Sequence, residues 1–524
     1  MVKNMSQDTF QDFINPSAIS TNDFIEDRLQ QFLYSSTITE ISQKQEQYQD
    51  NFSNTEIPSL GISQEDYFET FFNNVVSGSV KNHSPRYIGH MASSLPNFVH
   101  NVSRILTAIN PNVVTVERSG SFTMLERQVI GMLHRLFFKR DESFYNANAF
   151  NSESTLGMIV SGGTLANIAA MWCARNNLLG TKGDFPGVEE TGLVAALKYY
   201  GYEDAVIIGS CLCHYSFKKA AGILGIGSDG LIKLPANEKS QFEPNLLKEL
   251  LIDCKQKKRA VLAVIGIAGT TETGGIDCLP EIAEITQEFG VHFHVDAAWG
   301  GPAIFSEKHR EKLAGIEGAD TITIDGHKQL YLPMGIGVVL MREPKLANVI
   351  EHSAPYIIRT YSHDIGRRSL EGSRPGMCLF LHAGLNIMGS KGYEQLIDQG
   401  IAKTQYLKAK IEKMSEFELL AEPMLNILVY RYIPSYFRNK LLEGKLTQSD
   451  NWRINDINEH LQDVKHSLGE GFVSRTTLRN TVYGFDTSIS ALRVVIANPL
   501  TTEEDIDIVL NQSKHIGQQI EGTE

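Results

Sequence analysis

Cysteine is scarce in this chain: six residues in 524, at positions 173, 211, 213, 254, 278 and 378. So few thiols in so long a chain make no disulfide framework, and a reducing compartment, the cytoplasm, is the expected location. Long apolar runs are also missing. None approaches the roughly 18 residues that a membrane span requires. No basic stretch followed by an apolar one opens the chain, so export by a signal peptide is not expected. Positive charge is in deficit, with 48 Lys and Arg against 61 Asp and Glu and a formal net charge of −13. Nucleic acids and anionic membranes both reward basic patches, so neither is an expected partner. The same acidic shell repels an anionic small molecule at long range, and any anion site must be built from local arginines and backbone amides. No internal repeat is found.

What is present is a large apolar fraction, 42% of 524 residues, enough to bury a core in more than one domain. Residues 1 to about 60 are polar, notably Gln43 to Asn54, which fits either an exposed helical arm or partial disorder. From Asp66 to Leu136 the spacing of apolar residues is helical, with Ile109-Asn110-Pro111-Asn112 as a turn. Strands then alternate with helices. Ala205–Ile208, Val261–Ile267, Val291–Val295, Thr321–Ile324 and Ile336–Met341 read as strands, and Leu165–Leu178 and Leu246–Cys254 as helices. That alternation predicts a mostly parallel α/β sheet. Beyond Gly392, a helix, the strands at Ile427–Tyr430 and Leu492–Ile496, and a helix from Thr501 predict a smaller α+β domain.

Two of the predicted strands end in ionisable residues. His294-Val295-Asp296-Ala297-Ala298-Trp299-Gly300 carries a carboxylate, and Thr321–Ile324 runs into Asp325-Gly326-His327-Lys328. A carboxylate and a lysine delivered to one cleft suit pyridoxal phosphate chemistry. The amine holds the cofactor aldehyde as a Schiff base, and the carboxylate keeps the pyridine nitrogen protonated. Opposite charges about 4 Å apart attract by roughly 4 kcal/mol at an effective dielectric near 20. That raises a pyridine pKa by about three before desolvation opposes it. Val160-Ser161-Gly162-Gly163-Thr164-Leu165-Ala166-Asn167 is a Gly-rich turn opening a helix, which serves either as a phosphate cradle or as a plain helix start.

Arg493 lies inside the apolar run Leu492-Arg493-Val494-Val495 and needs an anionic partner, either a substrate carboxylate or a structural one. Arg374 is open to the same two readings. Three motifs are set aside. Gly225-Ile226-Gly227-Ser228-Asp229-Gly230 fits the dinucleotide fingerprint but follows a helix. His292 with His294, and Cys211 with Cys213, are alternate residues with no further metal ligands nearby, so no metal is expected.

These motifs resemble those of group II pyridoxal-phosphate-dependent amino-acid decarboxylases. The stretches Gly89-His90-Met91, Leu125-Glu126-Arg127-Gln128-Val129, Gly269-Thr270-Thr271-Glu272-Thr273-Gly274 and Glu371-Gly372-Ser373-Arg374-Pro375-Gly376 resemble most the bacterial aspartate 1-decarboxylase branch. The resemblance runs from about residue 80 to about 510. It implies the fold type I, aspartate aminotransferase-like architecture. Residues 1–100 would form a helical dimerisation arm, 101–390 the cofactor domain and 391–524 the small domain. It implies Lys328 as the Schiff-base lysine, Asp296 at the pyridine nitrogen, and Gly163, Thr164 and His327 at the phosphate. His214 of Cys213-His214-Tyr215-Ser216 would stack on one ring face and Ala298 on the other, with Thr271 a further contact. Arg493 would anchor the α-carboxylate, and a loop tyrosine, Tyr361 or Tyr356, would act in protonation. The implied activity is α-decarboxylation of L-aspartate by a homodimer. Glutamate is the alternative substrate, and a non-catalytic cofactor-binding protein is the alternative of another class.

Overall fold

The computed structural model describes residues 23–34, 49, 52–354, 356, 358–359, 362–480 and 486–522. Seven strands form the larger sheet: β1 (Gly157–Val160), β2 (Asp204–Ser210), β3 (Leu231–Leu234), β4 (Arg259–Ile267), β5 (Phe293–Asp296), β6 (Thr321–Asp325) and β7 (Gly337–Met341). They lie in the order β1-β7-β6-β5-β4-β2-β3. The pairs from β6 through β3 are parallel, whereas β7 runs antiparallel to both β6 and β1.

Both faces of this sheet are covered, which explains the near-continuous apolar strands. Val206 and Ile208 of β2 point into one core with helices Ser121–Phe138 and Leu279–Phe289. Ala205 and Ile207, one residue out of phase, point into a second core with helix Gly163–Leu178. Open parallel sheets bind ligands outside the carboxyl ends of their strands. The register brings those ends together here. Ile267 of β4 pairs with Asp296 of β5, and Asp296 pairs with Thr323 of β6.

The strands expected from apolar runs are present as β2, β4, β5, β6 and β7. Two short ones were not anticipated: β1, four residues leading straight into the Gly-rich turn, and β3, which follows the Gly225–Gly230 segment. That segment spans the end of one turn and a 3-10 helix before β3, so it precedes a strand instead of following one.

The smaller sheet has four antiparallel strands, β8 (Phe417–Leu419), β9 (Ile427–Tyr432), β10 (Ser474–Asn480) and β11 (Thr487–Val495), in the order β10-β11-β9-β8. Helices Gln448–Leu468 and Glu503–Glu521 cover it, each started by a capping box, Thr447 with Asp450 and Thr502 with Asp505. A segment from the N-terminal part joins this unit. The Ile88 amide donates to the Phe472 carbonyl and the Val495 amide to that of Ile88. The expected break at residue 390 falls inside helix Gly389–Ile411. Tyr393 on that helix donates to the Leu330 carbonyl of the large unit, while Leu407 and Ile411 enter the small-unit core. A continuous helix therefore ties the two units, and apolar spacing alone does not reveal it.

Candidate active site

A cavity of about 300 Å³ lies where the Gly-rich turn after β1 meets the ends of β4, β5 and β6. Gly162, at φ +148°, makes the turn from β1, and Leu165 and Ala166 both donate to its carbonyl. The amides of Gly163 and Thr164, in the first turn of helix Gly163–Leu178, have no partner within the helix. Both residues line the cavity. Glycine is needed at 163, because a Cβ there would come within 2.8 Å of the Asp325 carboxylate. His327 also lines the cavity; its Nδ1 donates to the Ile336 carbonyl at 3.2 Å, and its ring lies 3.9 Å from where a Gly162 Cβ would be.

Lys328 and Asp296 face the same space. The Lys328 Nζ is 3.1 Å from Asp325, which is buried and whose other oxygen has no hydrogen-bond partner. Asp296 accepts from Asn167 Nδ2 at 3.0 Å and from the Ala298 amide at 3.2 Å. His214 lines the cavity with its Nδ1 accepting from the Ser216 amide at 3.3 Å. Burial lowers the His214 pKa, Asp296 opposes the shift, and Lys328 adds to it. An imidazole so placed favours its neutral form, with the hydrogen on Nε2. Ala298 and Thr271 complete this set.

The donor set suits pyridoxal phosphate: an amide-lined helix start for an anion, a lysine for an aldehyde, and a carboxylate for a ring nitrogen. Residues 47–433 match the family described as the pyridoxal-dependent decarboxylase conserved domain. The chain belongs to the pyridoxal-dependent decarboxylases. This decarboxylase is 44% identical over 453 residues to aspartate 1-decarboxylase of Aliivibrio fischeri, covering 86% of this chain and 82% of the relative. It is 29% identical over 457 residues to cysteine sulfinic acid decarboxylase of Mus musculus, covering 85% of each. The crystal structure of mouse CSAD superposes with a TM-score of 0.81 at 26% identity, over 95% of this chain and 99% of that one.

In the decarboxylase Arg493 sits just behind the cavity wall. Its Nη1 donates to the carbonyl of Thr271 at 2.8 Å, its Nε to Ser474 Oγ at 2.9 Å, and its Nη2 to the Gly89 carbonyl at 3.2 Å. Burial disfavours its charge, and nearby Glu272 opposes that effect. No carboxylate among the described residues forms an ion pair with it.

Arg374 stands apart. It forms a bidentate pair with Glu126 at 3.0 and 2.6 Å, both side chains 3% exposed, and it does not line the cavity. Of the two readings left open for Arg374, this geometry supports the structural one, as the partner of Glu126. Tyr361 lies outside the described residues. Tyr356 is 84% exposed and does not line the cavity.

Two residues at the site, Asn167 and Asp325, have no role that sequence reasoning assigns. Asn167 follows Gly163 by four residues, one helical turn, and so shares its face. Asp325 precedes Lys328 by three. Among the described residues, no group of three or more His, Cys, Asp or Glu is arranged to hold a metal.

Proposed function

We propose that this decarboxylase removes the α-carboxylate of L-aspartate, yielding β-alanine and carbon dioxide. The observation that carries the reading is the convergence of Lys328, Asp296 and the Gly163-Thr164 helix start on one cavity, with the buried Arg493 directly behind it. The 44% identity to an aspartate 1-decarboxylase supports the substrate. Glutamate is the second reading, because one methylene changes pocket affinity by only about 1–3 kcal/mol.

When bound, pyridoxal phosphate supplies the aldehyde and the electron-accepting ring. Gly163, Thr164 and His327 would hold its phosphate, Asp296 its ring nitrogen, and His214 and Ala298 its two faces. Lys328 would carry it covalently through Nζ, and Thr271 would lie beside it. Arg493 would draw the substrate α-carboxylate from behind the cavity wall by its charge, with one Nη1 hydrogen left over from its contacts to Thr271, Ser474, Gly89 and His90. His214, with its hydrogen on Nε2, lines the cavity together with Lys328, whose Nζ would take or return a proton. Of the two loop tyrosines, Tyr361 would be the further proton donor, since Tyr356 is exposed and does not line the cavity.

The reading includes a cytoplasmic homodimer. Six free cysteines support the reducing compartment. The exposed Leu29, Leu33, Ile105 and Ile109 on helices Asp23–Tyr34 and Phe98–Ile109 support a subunit interface. The test is release of carbon dioxide from carboxyl-labelled L-aspartate by the cofactor-loaded protein. Release by wild type but not by Lys328→Ala is expected. Equal release by both would refute it.

A further inference from the structure

Asp296 does not stand alone behind the cavity. Asn167 Nδ2 reaches its Oδ2 at 3.0 Å and also Ser216 Oγ at 3.0 Å. Asn167 Oδ1 lies 3.1 Å from His294 Nε2, and His294 Nδ1 lies 2.8 Å from Thr321 Oγ1. Thr321 Oγ1 in turn lies 2.9 Å from His292 Nε2. Asn167, His294 and Thr321 are each 1% exposed or less, so no water competes along the central links.

The chemistry of each group fixes the direction of every bond. A carboxylate only accepts, so the Asn167 amide nitrogen must face Asp296 and its oxygen must face His294. His294 must then carry its hydrogen on Nε2. Burial lowers its pKa to about 3, so the ring is neutral and Nδ1 is bare. That bare nitrogen accepts the Thr321 hydroxyl, and the Thr321 oxygen accepts from His292 Nε2. Each donor points toward Asp296.

We infer that His292, Thr321, His294 and Asn167 form a one-way hydrogen-bond chain that positions the Asp296 carboxylate for the cofactor's ring nitrogen. These are positioning residues, and the inference rests on the proposed role of Asp296. Bonds in such a row polarise one another, so the last donor, on Asp296, is strengthened by those behind it. The chain also gives a role to the His292 and His294 pair, whose alternate spacing otherwise suggests metal ligands.

The test compares two ligands on the full-length apoprotein by equilibrium titration: pyridoxal phosphate, and its analogue with carbon in place of the ring nitrogen. Wild type should prefer the natural cofactor. Asn167→Leu should weaken pyridoxal phosphate binding by about tenfold or more, the effect of losing a hydrogen bond to a charged group. The carbon analogue should bind both proteins alike. Thr321→Val, nearly isosteric, should give a smaller loss in the same direction, and it carries the test alone if Asn167→Leu fails to fold. Equal weakening for both ligands, or none for either, would overturn the chain. If wild type itself binds the two ligands equally, the Asp296 assignment falls first.

Discussion

Replacing Arg374 with alanine should cost stability and spare substrate recognition. The guanidinium meets Glu126 through two hydrogen bonds, at 3.0 and 2.6 Å, with 3% of either side chain exposed. The pair joins helix Ser121–Phe138 to the Glu371–Gly376 segment, and Glu126 also accepts from the Ile159 amide of β1 at 3.4 Å. Arg374→Ala leaves the Glu126 charge buried without its partner, and such a break costs about 3–5 kcal/mol. Whole domains are stable by only about 5–15 kcal/mol, so the loss is a large share of the total. The assay is chemical denaturation followed by tryptophan fluorescence, with KM for L-aspartate measured on the folded protein. The denaturation midpoint should fall clearly while KM stays unchanged. The double variant Glu126→Gln with Arg374→Gln should recover part of the loss, because no unpaired charge remains. An Arg374→Ala protein of wild-type stability with a raised KM would refute the argument and return Arg374 to the substrate.

Three further outcomes follow from the same geometry. Lys328→Ala should lose all borohydride-reducible attachment of cofactor; a covalent adduct retained on that variant would refute the lysine assignment. Arg493→Gln should lower kcat/KM for L-aspartate by about two orders of magnitude, near the 3 kcal/mol expected for losing one partner of a buried charge pair, with cofactor binding retained. A collapse of folding instead would make Arg493 structural. His134 and His294 are held neutral by burial, with pKa values lowered from 6.5 to about 4 and about 3. Their contribution to stability is full above pH 6.5 and is lost as pH falls toward those values, because the unfolded chain binds protons first. The denaturation midpoint should therefore be lower at pH 5 than at pH 7; an equal or higher midpoint at pH 5 would contradict this.

Much of the site could be read from the chain because β5 ends on Asp296 and β6 on Asp325, with Lys328 three residues beyond. Parallel strands place such ends side by side, so two motifs thirty residues apart become one cleft. The turn Ser161-Gly162-Gly163-Thr164 was legible as a helix start, with the anion cradle one of two readings left open. β1 and β3 were not, because four residues carry too little periodicity to stand out from their flanks. Arg374 was undecided because its partner Glu126 is 248 residues away, a distance that no local pattern bridges. Asn167 and Asp325 lay within quoted motifs, yet their roles depend on which strand ends they face. The boundary near residue 390 was obscured by helix Gly389–Ile411, whose two halves pack on different cores.

The proposed reaction is decarboxylation of an acidic amino acid, with aspartate as the substrate. Product analysis of the cofactor-loaded protein given L-aspartate and L-glutamate in separate reactions tests it most directly. β-Alanine from aspartate with little γ-aminobutyrate from glutamate is the predicted result. γ-Aminobutyrate as the dominant product would keep the fold and the cofactor chemistry but contradict the substrate. No amine from either acid would contradict the activity on acidic amino acids itself.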